Sequence, residues 1–368
     1  MTSTVYFMDF RATPQENLYA KLDRLMETAG ISKVFSKRDL VAVKLHFGEM
    51  GNTAFIRPIF LRRIVQAVKK HGGKPFLTDA NTLYAGTRGD SVNHLTTAIQ
   101  NGFAYAVVDA PLIIADGLRG KTETAVTIHR KHYKEVYIGS EIVQADALIS
   151  VAHFKGHELS GFGGAIKNVG MGSASRRGKL AQHSTVCPGV NIEKCIGCGE
   201  CVDHCSQQAL SLEDDRAVLD SEKCIGCGEC ILICPNSAIE IKWDQNIPDF
   251  LESMVEYTEG VLKGKKNQSL FINFITNVSP ACDCYGHNDA PIVRDIGITA
   301  STDIVAIDQA SADLVNAEYA LPGSCLETNL EPHEDKFKGI YPKVNWPIQL
   351  DYAEKLGLGT RKYYLEKI

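Results

Sequence analysis

Hydrophobic positions in the first half of the chain switch between two periods. Short apolar runs at Val5 to Asp9, Val41 to His46, Phe76 to Asp79, Ala104 to Val108 and Ala147 to Val151 have the length of buried strands. Between them, apolar residues recur at helical spacing, first Leu18, Leu22, Leu25, Met26 and Ala29, then Phe60, Leu61, Ile64, Val65 and Val68. Local signals bound these helices. Thr13-Pro14-Gln15-Glu16 offers a capping box with proline at the first helical position, and Gly30 offers a left-handed stop. Pro58 opens the second helix and Gly72-Gly73 closes it. Strands alternating with helices predict an α/β protein built on an open, mostly parallel sheet.

Residues 156–172 hold six glycines and lead into a polar stretch, Ser173 to Gln182, with Arg176, Arg177 and Lys179. That composition predicts a long loop or linker. A cysteine-rich segment follows. Beyond it Phe250, Leu251, Met254, Val255 and Tyr257 predict a helix, Leu270 to Ile275 a strand, and Ile304, Ile307, Ala310 and Leu314 another helix. The simplest organisation is one α/β domain in two parts, 1–186 and 246–368, interrupted by an insert at 187–245. Two independent α/β domains flanking the insert are the alternative.

Composition narrows the class. With 368 residues, 44% hydrophobic and 23% charged, the chain is long enough for a sizeable core and ordinary for a globular protein. The net charge of −5 argues against a nucleic-acid-binding surface. Apolar runs fall well short of the ~20 residues that cross a bilayer, so no membrane span is expected. Met1 to Thr13 lacks the pattern of a secretory signal, which points to the cytoplasm. There the twelve cysteines call for metal or redox chemistry rather than structural disulfides.

Lys194-Cys195-Ile196-Gly197-Cys198-Gly199-Glu200-Cys201 recurs unchanged at Lys223 to Cys230, 29 residues later, and Cys205 maps onto Cys234. Each half reads C-x2-C-x2-C-x3-C, in which three thiolates wrap one cluster and the fourth points to the other half's cluster. Paired zinc sites are the competing reading, but triplets of this spacing serve clusters rather than tetrahedral zinc. The segment resembles the bacterial two-cluster ferredoxin. Carried over, Cys195, Cys198, Cys201 and Cys234 would hold one [4Fe-4S] cluster, and Cys224, Cys227, Cys230 and Cys205 the second. The usual proline after the fourth cysteine is Pro235 in one half and Ser206 in the other. Residues 191–242 carry four basic and ten acidic side chains, leaving the rest of the chain at +1. The acidic charge either solvates this unit or steers a basic redox partner protein.

A second set of candidates lies at strand ends, where open α/β sheets bind ligands. Lys44 and His46 share a face, with Glu49, Asn52 and Thr53 after them, and Asp79 and Asn81 close the next strand. His153, Lys155 and His157 alternate ahead of the glycine-rich stretch that contains Lys167 and Asn168. The pattern predicts a basic pocket for a small anionic substrate, with a histidine moving a proton. Gly161 to Lys167 is neither a P-loop nor a dinucleotide fingerprint. Cys282-Asp283-Cys284, with His287 as third ligand, suits a soft metal, another cofactor or a redox pair, or else two buried small side chains.

Taken together, Val43 to Glu49 (V-K-L-H-F-G-E), Gly51 to Pro58, Leu77 to Tyr84, His153 to Asn168 and Cys282 to His287 (C-D-C-Y-G-H) resemble domain-of-unknown-function family 362, in members where an α/β body carries a ferredoxin insert. The resemblance implies iron-sulfur binding and oxygen-sensitive redox metabolism. The His153 to Lys167 stretch is also similar to that of the nickel-pincer lactate racemase, with the lysine one residue further from the glycine pair. The leading expectation is an oxidoreductase relaying electrons through two clusters to an anionic substrate. An electron-transfer or cluster-delivery protein that docks a partner enzyme, and a non-redox isomerase with structural clusters, are the alternatives.

Overall fold

The computed structural model describes residues 2–83, 86–183, 188–205, 207–224, 228–240 and 246–368. Its centre is one eight-stranded sheet. In chain order the strands are β1 (Ser3–Asp9), β2 (Leu40–Lys44), β3 (Lys74–Asp79), β4 (Leu112–Ile114), β5 (Ala147–His153), β6 (Ser269–Ile275), β7 (Gly297–Ser301) and β8 (Tyr363–Lys367). They are ordered β8-β1-β7-β6-β5-β2-β3-β4. Neighbours run parallel except at β7, which is antiparallel to both β1 and β6. The β5–β6 pair, Ala152 opposite Asn273, joins strands from either side of the cysteine-rich segment within this sheet.

Side-chain alternation builds two apolar layers, one on each face. Val41, Val43, Ile149 and Val151 pack with Leu61, Ile64 and Val65 of helix α1 (Pro58–Lys70). Ala42, Leu148 and Phe271 pack on the other face with Ile166 and Val169 of α2 (Ala165–Ser173), Met254 and Val255 of α3 (Ile247–Leu262), and Ile307 of α4 (Ile304–Asn316). Among the described residues no helix is long and apolar enough to cross a membrane.

Three local expectations are corrected. The first helix begins at Leu18 under an Asn17 cap that accepts from the Ala20 amide, while Thr13 accepts from the Glu16 amide in a separate turn upstream. Ala104 to Val108 is not a strand: Tyr105–Val108 forms one helical turn that Asp109 ends in the left-handed region at φ 60°. The glycine-rich stretch is no linker. Lys155–His157 and Gly161–Gly163 form a hairpin, followed by α2 and by a helix over Arg176–His183. Gly170 explains the glycine content, because a Cβ there would stand 2.3 Å from the Met254 carbonyl oxygen of α3. The glycine lets two helices touch.

The cysteine-rich segment makes a small unit: a hairpin of Leu210–Glu213 and Arg216–Leu219, a short pair of Gly189–Val190 with Ile239–Glu240, and one-turn helices at Glu200–Asp203 and Glu229–Ile233.

Candidate functional site

Beyond the carboxyl ends of β2, β3 and β5 lies a cavity of about 580 Å³. Lys44, His46, His153, Lys155, His157 and Lys167 all line it, as do Cys282 and Cys284. Parallel pairing of β5 with β2 and of β2 with β3 places these strand ends side by side, and the segment after β6 brings in the two thiols. The predicted convergence is therefore present, but its electrostatics differ from those of an open basic pocket.

Most cations there already have carboxylate partners. Lys44 Nζ lies 3.0 Å from Asp79 Oδ1 and 2.9 Å from Asn168 Oδ1. Burial lowers the Lys44 pKa, Asp79 opposing it. Burial penalises the charge of Asp79 too, yet Lys44, His94 and Arg88 hold its carboxyl below the usual range. Arg88 Nε donates to Glu49 Oε2 at 3.0 Å. Lys155 Nζ is 3.4 Å from Asp283 Oδ2, and His153 is consumed on both sides, by Asp283 at 2.9 Å and by the Thr276 carbonyl at 2.8 Å. Neither Lys44 nor Lys155 is thus a free anion receptor, nor is His153 placed as a proton donor to the cavity. Instead His153 and Lys155 anchor Asp283, the residue between the two cysteines, and so orient both sulfurs. Among the described residues, the cavity lysines without a carboxylate at ion-pair distance are Lys167 and Lys179. Burial lowers Lys179 to about 8.

The sulfurs of Cys282 and Cys284 are 2.7 Å apart. Lys167 Nζ stands 3.5 Å from Cys282 Sγ, and His46 Nε2 stands 3.4 Å from Cys284 Sγ. Their contact splits their acidities. Hydrogen bonding from Cys282, with Lys167, Arg88 and Lys155 outweighing burial, brings Cys284 down to about 6. The same contact and burial push Cys282 up to about 12. Near neutral pH the pair holds one proton. Burial opposes the charge of Lys167, but the two thiols keep its pKa above the ordinary value. His287, expected as a third ligand, is elsewhere: it lies against Tyr285 at 5.6 Å between ring centroids, and its carbonyl accepts from Asn52. His46 occupies the place beside the thiols.

Several cavity residues escaped sequence reading. Arg88 follows Gly86 and Thr87 in a loop with no periodic pattern. Lys179 and His183 carried a usable signal, because four-residue spacing puts both on one face of their helix.

In the cysteine unit, Cys195, Cys198, Cys201 and Cys234 line one small pocket. Backbone amides point at the sulfurs, Ala217 N to Cys195 at 3.4 Å, Ala238 N to Cys234 at 3.1 Å and Ala209 N to Cys205 at 3.3 Å. Burial raises the Cys201 pKa, and so do the neighbouring sulfurs of Cys234, Cys198 and Cys195. Four converging sulfurs, with amide donors on Cys195 and Cys234, suit a positively charged iron-sulfur core. Gly197 has φ +68°, and a Cβ there would stand 2.4 Å from the Asp215 carbonyl oxygen. Of the second proposed set Cys205, Cys224 and Cys230 are described, whereas Cys227 lies outside the described residues.

The two regions touch. A Cβ on Gly228, inside the second motif, would stand 2.8 Å from Leu83 and 3.2 Å from Arg176, and Leu83 is part of the cavity wall.

The family model described as Domain of unknown function (DUF362) matches residues 41–313. No curated protein matches the chain. Among solved structures it is similar to the lactate racemase apoprotein from Thermoanaerobacterium thermosaccharolyticum, with 14% identity and a TM-score of 0.33 over 64% of this chain and 48% of that one. It is also similar to a protein from Thermotoga maritima, with 10% identity and a TM-score of 0.40 over 92% of this chain and 58% of that one. This chain spans less than two thirds of either protein's length.

Proposed function

The chain belongs to the DUF362 family, and we propose that it is an iron-sulfur oxidoreductase which passes electrons between its cysteine unit and the cavity at the strand ends. Cys195, Cys198, Cys201 and Cys234 would hold one [4Fe-4S] cluster, and Cys205, Cys224, Cys227 and Cys230 the other. Such clusters, when bound, supply single electrons at low potential.

The observation that carries this reading is the seating of the cysteine unit. Its second motif rests on Leu83, a wall of the cavity, while its first motif presents Cys198 and Ile196 to solvent. One end is open to a redox partner and the other abuts the cavity. Glu193, Glu200, Asp203 and Asp215 are exposed on the open end, which favours a basic partner protein. Within the cavity, Lys167 and Lys179 are the cations that would meet a small anionic substrate.

Anaerobically purified protein is expected to contain about eight iron and about eight acid-labile sulfide per chain, with visible absorbance that bleaches on reduction. Stoichiometric zinc without sulfide would overturn the proposal.

A further inference from the structure

We propose that Cys282 and Cys284 form a redox-active dithiol–disulfide couple, which gathers single electrons into a pair inside the cavity. This deepens the reading above and rests on it for the electron source.

Proximity is the first argument. Both cysteines are free thiols, and their sulfurs stand 2.7 Å apart. Closing that gap to the ~2.05 Å of a disulfide needs a shift of only about 0.7 Å. The turn between them is fixed from outside, since buried Asp283 is anchored by His153 and Lys155.

The flanking histidines decide between a redox pair and a metal site. Nδ1 of His46 accepts the Gly48 amide at 3.0 Å, so in the neutral ring Nε2 carries the hydrogen and donates it to Cys284. Burial, reinforced by Arg88 and Lys155, keeps this ring neutral. Nδ1 of His157 accepts the amides of Leu159 and Ser160, each at 3.2 Å, which leaves its Nε2–H for Cys282. A metal ligand needs a lone pair where both rings carry a hydrogen. An N–H on each sulfur instead stabilises a thiolate.

The Cys282–Cys284 disulfide takes up two electrons, as successive equivalents from a low-potential iron-sulfur donor, and one proton from solvent. The S–S bond breaks, Cys282 keeps the proton as a thiol, and Cys284 becomes a thiolate facing His46. Oxidation returns both electrons and the proton. Lys167 is a positioning residue: its charge, 3.5 Å from Cys282, stabilises the reduced state, which carries the thiolate, over the neutral disulfide.

The test is peptide-resolved differential alkylation and mass spectrometry on the full-length protein, equilibrated anaerobically in glutathione redox buffers, with iron and zinc assayed on the same samples. Expected is a reversible loss of two hydrogens confined to the peptide holding Cys282 and Cys284. In Lys167→Met the midpoint should move about tenfold toward more reducing buffer, or ~30 mV, and Lys167→Arg should restore it. If Lys167→Met fails to fold, the wild-type titration still decides. The proposal is overturned if these cysteines remain separate thiols at every poise in folded protein, or if they retain a stoichiometric metal through dialysis. A normal thiol titration in protein that never binds iron would overturn the cluster reading alone and leave the couple standing.

Discussion

The core of the cysteine unit consists of Cys195, Cys201, Leu210, Ala217, Ile231, Ala238 and Ile239, completed by Leu83 and Leu180 from the sheet body. The cavity a few residues away is held by buried pairs, Lys44 with Asp79, Arg88 with Glu49, and Lys155 with Asp283, on strands that have apolar layers on both faces. The first region has few apolar side chains to bury, and under the proposed function its stability is expected to depend on bound clusters. The second is braced by those pairs and by the sheet beneath them. Under the proposed function, electron entry falls to the first part, stabilised by clusters, and substrate chemistry to the second, stabilised by its own packing, so perturbations should separate them.

The largest effect expected is from Cys201→Ser. It removes a ligand from the middle of the small core, and the unit should lose its iron and become open to proteolysis within residues 191–240. The thermal transition of the sheet body should stay in place. A single shared loss of both would break the comparison.

Asp79→Asn probes the other side. It leaves Lys44, Arg88 and His94 around an uncharged amide in a buried site, where breaking an ion pair costs about 3–5 kcal/mol. Urea denaturation should show that loss in the body while iron content is unchanged.

Acid should also act on the cavity first. Burial holds His94 at about 3 and, with His157 nearby, His183 at about 3, against ~6.5 in the unfolded chain. Both folded values are depressed. Stability is therefore full above pH ~6.5 and falls as pH drops toward 3, because the unfolded chain binds protons that the folded one refuses. The slope should be ~1.4 kcal/mol per pH unit for each histidine, measurable as urea midpoints between pH 7 and 5. A flat profile would remove the burial argument.

The smallest effect concerns the exposed rim. Glu200→Lys should slow reduction of the cysteine unit by a basic donor protein roughly two- to fivefold at low salt, with no change in the cavity thiols.

Much of both regions was legible because local rules decide it. The C-x2-C repeat fixes its own turns, and the unbroken apolar run through Val41, Ala42 and Val43 marks a strand buried on both faces. What stayed hidden depends on distant partners. Helix α2 has no local cap: Asp308 accepts the Ala165 and Ile166 amides at 2.7 and 2.9 Å from more than a hundred residues away, and burial raises its pKa to about 6. The countercharges that close the basic pocket are likewise remote, Asp283 for His153 and Lys155 above all. Ala104 to Val108 misled because Val107 and Val108 favour strands in isolation, whereas the chain turns there against α1.

The central claim is that electrons entering the cysteine unit arrive at the cavity. Protein with Cys282 and Cys284 oxidised should be divided anaerobically into iron-loaded and iron-stripped samples. Each is then mixed with a one-electron donor, a reduced viologen, and thiols at the two positions are quantified by alkylation over time. The account predicts that thiols appear at Cys282 and Cys284 in the iron-loaded protein and not in the stripped one. Equal appearance in both, or bleaching of the iron-sulfur absorbance with the cavity disulfide left intact, would contradict it.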